Sequence, residues 1–280
     1  MKKFEFTKLL PFLIMLPATL VGSIVMLMND VPITIWSQNL IGLVLAGLLI
    51  NYISDKVPVG VKKIAIPVII ILLILTFLHT GLGGVHRWIG VGPIKFYIAS
   101  IVIPVLLIEL WRLSQVINIG VLTVIALGVS VMLFLQPDAS QTTAFTVPVV
   151  VILLSKTRNR YYRYSVITFA SLLCLLSWIL IDDLPPVPYV EGIIDMAANT
   201  GMMWRGLGIV SLAILPLPFI LFPPRNARLI SLCLGSYFVL ILLSTRFGNF
   251  PVPLMGYGIS PILGYYLAVT WLIKEQKQRV

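Results

Sequence analysis

The sequence predicts an all-α, polytopic membrane protein of about ten transmembrane helices, and three observations carry that prediction. Hydrophobic residues make up 59% of the 280 residues and charged residues only 11%, where soluble domains carry roughly 45–50% and about 25%. The mean hydropathy is +1.04. Apolar runs recur along the whole chain, each near the ~20 residues that a spanning helix needs. Together they exclude a soluble globular domain, a disordered chain and a nucleic-acid-binding module. Ten spans take about 200 residues and leave about 80 for loops and tails. Residues 1–280 therefore read as a single integral membrane domain.

The runs lie at 9–28, 36–53, 64–79, 98–115, 117–135, 141–155, 164–181, 201–222, 229–245 and 253–273. The first follows Lys2 and Lys3 as a signal peptide would. Further apolar runs follow it, and no small-residue cleavage site stands after it, so it is read as a retained span. The fifth and sixth are divided only by Gln136-Pro137-Asp138, a tight turn at a membrane face. The tenth opens in a stretch rich in Gly and Pro, which predicts an irregular start. Cys174 and Cys233 each lie inside an apolar run and read as small buried hydrophobes. No Cys/His spacing suggests a metal site.

An even span count puts both termini on one side, and the basic residues say which. With cytoplasmic termini, the inside holds Lys2, Lys3, Lys8, Lys56, Lys62, Lys63, Arg112, Lys156, Arg158, Arg160, Arg163, Arg225, Arg228, Lys274, Lys277 and Arg279. The outside holds only Arg87, Lys95, Arg205 and Arg246. Lys and Arg collect on the cytoplasmic side of membrane proteins, so this bias sets the orientation and explains the net charge of +10. The outside is then periplasmic or extracellular, if the membrane is a bacterial inner (plasma) membrane.

Three outer segments exceed a turn, at 80–97, 182–200 and 246–252. The first holds glycines, Arg87, the interface-suited Trp88 and His86, which with His79 at its edge seven residues earlier is a weak metal signal. In the second, Pro185, Pro186 and Pro188 stiffen an extended path that delivers Glu191 and Asp195. If helix resumes near Val190, both acids share one face. They read either as solvated loop charge or as general bases whose pKa desolvation raises. The third leads into the Pro- and Gly-rich start of the last span. Non-helical backbone at membrane depth survives only when buried in protein or lining a cavity, so it reads as a groove wall or a packed, kinked helix start. Within the spans, Glu109 and Arg112 are three apart and predict an ion pair rather than a proton path.

Three of these motifs together resemble the SEDS family (the FtsW, RodA and SpoVE group). Gly84-Val85-His86-Arg87-Trp88-Ile89 resembles the family's G-x-x-R-W-I loop. Gln136-Pro137-Asp138 resembles its Q-P-D-x-G-T turn. Residues 248–260, from Gly248-Asn249-Phe250-Pro251 to Tyr257-Gly258-Ile259-Ser260, resemble its T-G-x-P-L-P-F-x-S-Y-G-G-S-S loop. They occur in the family's order and cover nearly the whole chain.

The resemblance implies a ten-helix bundle and a peptidoglycan glycosyltransferase that polymerises lipid II, a polyprenyl-diphosphate-linked sugar, at the outer face. It implies a class B penicillin-binding protein as partner, and no nucleic acid. Aligned without gaps, Tyr189-Val190-Glu191-Gly192-Ile193-Ile194 falls on the family's H-T-D-F-I-F, which puts Glu191 at the catalytic aspartate. Asp183 falls where another acid often stands, and Asp195 completes the catalytic candidates. Arg87, Lys95 and Arg205 are the cations suited to a departing diphosphate. Trp88, Gln136, Asp138, Pro253, Tyr257, Gly258 and Ser260 are further substrate-binding candidates by motif position. No cofactor is expected. A divalent cation on the diphosphate fits the chemistry, but no ligand cluster points to one.

The chain also departs from the family. Tyr97-Ile98-Ala99-Ser100 stands where Q-P-S-E is usual, Ser140 replaces the glycine of the Q-P-D turn, and Gly256 and Ile259 alter the last motif. These departures keep open a non-catalytic relative that binds a lipid-linked sugar or the partner, and the groove-like Pro and Gly entry of the last span keeps open a lipid-linked-sugar flippase.

Overall fold

A long apolar run can satisfy its backbone only as helix where water is absent, and every apolar run carries helix. The computed structural model describes residues 2–56, 64–79, 81–92 and 94–277, with backbone alone for 2–8 and 53–56. Lys62, Lys63 and Arg279, counted toward the orientation, lie outside the described residues.

The elements are α1 (Lys2–Met28), α2 (Ile33–Lys56), α3 (Ala65–Phe77), β1 (Trp88–Val91), β2 (Ile94–Tyr97), α4 (Ile98–Leu113), α5 (Ile119–Leu135) and α6 (Ala139–Leu154). They continue as α7 (Arg160–Ile179), α8 (Ile193–Thr200), α9 (Met202–Ala213), α10 (Leu217–Leu221), α11 (Arg228–Ser244) and α12 (Ile259–Lys277). Among the described residues, five stretches are long and apolar enough to cross a membrane: Leu9–Met28, Ile33–Tyr52, Arg160–Ile179, Met202–Leu221 and Arg225–Ser244. The apolar helices α3, α5 and α6 are shorter. Length and composition thus single out five stretches where the apolar runs predict ten spans.

Local chemistry sets the boundaries. Asn118 caps α5 by accepting from the Gly120 amide at 2.7 Å, and Asn159 caps α7 by accepting from the Tyr162 amide at 3.2 Å. The expected eighth span is two helices, α9 and α10, separated at 214–216, where Pro216 and Pro218 each lack a donor. The last span starts irregularly, as its composition predicts, and becomes helix only at Ile259. Glu109 and Arg112 form the predicted ion pair at 2.8 Å.

One feature departs from an all-helical fold. The strands β1 and β2 pair antiparallel, Trp88 with Tyr97, Ile89 with Phe96, Gly90 with Lys95 and Val91 with Ile94. Gly92, at φ +59°, allows the tight reversal.

The chain divides into two compact units. The first comprises 1–59, 185–226 and 242–280. In it α1 packs on α2, α8, α9 and α12, and α12 packs on α2, around Met15, Leu43 and Tyr265. The second comprises 60–184 and 227–241. There α5, α6 and α7 pack together, with α4 on α6 and α3, around Leu106, Leu133 and Phe145.

Candidate functional site

The second unit buries a charged cluster beneath the hairpin. Arg87 is only 2% exposed and Asp138 is fully buried. The Arg87 guanidinium donates to the Pro137 carbonyl and to Asp182 Oδ2, and its Nε lies 3.5 Å from Asp138 Oδ2. The Tyr97 hydroxyl donates to the same Asp138 oxygen. Asp138 Oδ1 caps α6 by accepting from the Gln141 amide at 3.0 Å, and Tyr237 donates to Gln141 Oε1 at 3.0 Å. Gln136 donates to Thr76 Oγ1 at 2.7 Å, tying the end of α5 to α3.

Burial alone would lower the Arg87 pKa. Asp138, Tyr97 and Asp182 more than offset it, so the guanidinium is held above its usual value. Burial first, and then the Asp138 charge, push the Tyr97 phenol well up, so it remains a donor. The G-x-x-R-W-I loop and the Q-P-D turn are thus bonded to each other. Arg87, Gln136 and Asp138, expected at substrate, point their polar groups into protein.

The first unit holds Glu191. The 181–187 path is extended, as three prolines dictate. It ends in a turn whose hub is the Val187 carbonyl, which accepts from Val190 N (2.9 Å), Glu191 N (3.1 Å) and Gly192 N (3.3 Å). The Glu191 carboxylate closes the ring by accepting from Val187 N at 2.8 Å. The Val190 and Gly192 amides thereby leave the i→i−4 pattern, and α8 begins only at Ile193. The expectation that Glu191 and Asp195 share a helix face is corrected here: Glu191 precedes the helix. Glu191 is half-buried, whereas Asp195 is 77% exposed and lies 4.0 Å from Arg246.

The motif loop before α12 holds this turn in place. Val252 N donates to Val190 O at 3.3 Å, and Tyr257 N donates to Tyr189 O at 2.9 Å. The two tyrosine rings meet edge to face at 6.2 Å. A Cβ on Gly256 would stand 2.4 Å from Val190 O, and one on Gly22 would stand 2.0 Å from Met255 O. Both glycines are therefore required by close approach.

The remaining candidates are scattered. Trp88 is half-buried, with its ring 6.3 Å from that of Tyr97. Lys95 is exposed on β2 and Asp183 is exposed beside the engaged Asp182. Arg205 is half-buried on α9. Pro253 and Ser260 are buried, Tyr257 is half-buried, and Gly258 adopts φ +144°. His86 stacks on Phe77 at 5.9 Å, its Nδ1 3.1 Å from the His79 carbonyl. Among the described residues, no three His, Cys, Asp or Glu side chains come together as a metal site.

Sequence reasoning did not single out Tyr97, Asp182, Gln38 or Asn39. Tyr97 and Asp182 meet Asp138 and Arg87 across 41 and 95 residues. Separations of that size leave no local pattern. The one available signal was Gln38-Asn39, a polar pair at the head of an apolar helix.

Neither a family model nor a curated protein matches this sequence. Solved structures do match. The rod shape determining protein RodA of Thermus thermophilus aligns at TM-score 0.66 and 18% identity, covering 97% of each chain. An aspartate-to-alanine variant of that protein aligns at TM-score 0.66 and 17% identity, covering 97% of this chain and 98% of that one. A structure described as a peptidoglycan synthase complex that coordinates polymerisation and crosslinking aligns at TM-score 0.58 and 19% identity, covering 96% and 98%. This chain therefore has the RodA, SEDS-like fold. With its apolar helices, it is a multi-pass membrane protein.

Proposed function

We propose that the chain is a peptidoglycan glycosyltransferase of the SEDS type, polymerising a lipid-linked disaccharide at the outer face of a bacterial inner membrane. It would act there as one integral membrane domain of ten spans with both termini cytoplasmic. A class B penicillin-binding protein would be its crosslinking partner. The observation that carries this reading is Glu191, a half-buried carboxylate on a turn fixed to the 252–257 loop, within a fold shared with RodA over nearly the whole chain.

In the reaction, a sugar hydroxyl of one chain attacks the anomeric carbon of another. The bond from that carbon to the diphosphate lipid breaks, and the lipid diphosphate leaves. Glu191 accepts the hydroxyl proton. Its bond from Val187 N orients the carboxylate. Arg205, on α9 of the same unit, has the planar donor set that suits a departing diphosphate.

The experiment is polymerisation of labelled lipid II by the purified protein, with and without the candidate partner. Glycan strands made by wild type support the reading. A second reading, a non-catalytic relative that binds the lipid-linked sugar or the partner, is favoured by the departures at 97–100, Ser140 and Glu191. It predicts partner capture with no polymer.

A further inference from the structure

We infer that Asn39 is a positioning residue for Glu191, acting through the loop between α11 and α12. The inference rests on the role proposed for Glu191. Residues 40–50 of α2 are wholly apolar, and Asn39 stands immediately before them with no exposed surface. A buried amide is costly there unless both its ends are bonded.

Both ends are bonded, and to one loop. Asn39 Nδ2 donates to the Gly256 carbonyl at 2.8 Å, and Oδ1 accepts from the Gly258 amide at 3.0 Å. A carbonyl only accepts and an amide only donates, so these partners fix which way the side chain faces. Between them, Tyr257 donates its hydroxyl to Gln38 Oε1 at 3.0 Å. Two adjacent α2 side chains thus grip three successive loop residues.

The far side of the same loop meets the turn that carries Glu191. Tyr257 N bonds Tyr189 O, and Val252 N bonds Val190 O. Gly256 lets the loop approach so closely that a single Cβ would strike Val190 O at 2.4 Å. The order of contact is Asn39, then 256–258, then 189–190, then Glu191. Asn39 touches no reacting atom. It sets where the carboxylate stands, and a displacement of about 1 Å is worth on the order of a hundredfold in rate.

The test uses the full-length protein in detergent with labelled lipid II and compares wild type, Asn39→Leu, Asn39→Asp and Glu191→Gln. Leu matches the shape of Asn and makes neither bond, while Asp keeps the acceptor for Gly258 N and loses the donor to Gly256 O. The expected result is a kcat about 100-fold lower for Asn39→Leu with KM within about threefold, and a smaller loss for Asn39→Asp. Amide exchange over 187–192 should quicken in Asn39→Leu while α5 and α6 stay protected. Wild-type kcat in a folded Asn39→Leu, or unchanged exchange over 187–192, overturns the inference. Should Asn39→Leu not fold, Asn39→Asp carries the same two readouts. Full turnover in Glu191→Gln would instead remove the catalytic reading. The exchange measurement still decides whether Asn39 holds the turn.

Discussion

The Arg87 cluster and the Glu191 turn both hold carboxylates, and they hold them in opposite ways. Around Arg87, two aspartates and a tyrosine face one guanidinium with almost no exposed surface. Each charge is answered by protein, so the cluster fastens the hairpin to the ends of α5, α6 and α7. Around Glu191, the turn is held by backbone amides and carbonyls, and the side chain stays half-exposed. The Val187 amide fixes the direction of the carboxylate and leaves it partly open to the surface. The difference teaches that residues of one resemblance divide by burial: Arg87 and Asp138 are enclosed in a charge cluster, and Glu191 stands at the edge of a backbone-held turn.

The comparison breaks most visibly at Arg87. Arg87→Met leaves Asp138 and Asp182 buried without their cation, and such a loss costs about 3–5 kcal/mol. Thermal unfolding in detergent should show it as the largest destabilisation among these variants. A second variant sharpens the other side. Gly256→Ala drives a Cβ toward Val190 O, with an expected cost of about 1–3 kcal/mol from overpacking. Its main effect should be on turnover, because the turn that moves is the one bearing Glu191. Asp195→Asn should matter least. Asp195 and Arg246 are 77% and 53% exposed at 4.0 Å, and such pairs contribute about 0–1 kcal/mol. Unfolding of that variant should follow wild type closely, and the small difference should vanish at high salt.

Much of the fold was legible in the sequence because hydropathy acts over a whole span. The ten apolar runs meet helices, and the proline path at 185–188 and the irregular start before Ile259 appear where Pro and Gly predicted. The hairpin was not legible, since Gly-rich sequence around Trp88 is compatible with many loop paths. The break between α9 and α10 was hidden by continuous hydrophobicity, although Pro216 and Pro218 mark it. For the site, Glu191 and Arg87 were named from motifs, but their surroundings were not. Asp182 rather than Asp183 meets Arg87, a choice made by three-dimensional proximity that neighbouring identical residues cannot reveal. Glu191 falls outside α8 because Val187 O collects three amides, a local closure that helical periodicity does not anticipate.

The most direct measurement pairs activity with unfolding on the same preparations of wild type and Glu191→Gln. Glutamine keeps an oxygen for Val187 N and loses the proposed base. Polymerisation of labelled lipid II should fall by about 10²–10⁴-fold, while the unfolding midpoint stays within about 2 °C of wild type. Polymer formed at the wild-type rate by a folded Glu191→Gln protein would contradict the assignment of Glu191 to the chemistry.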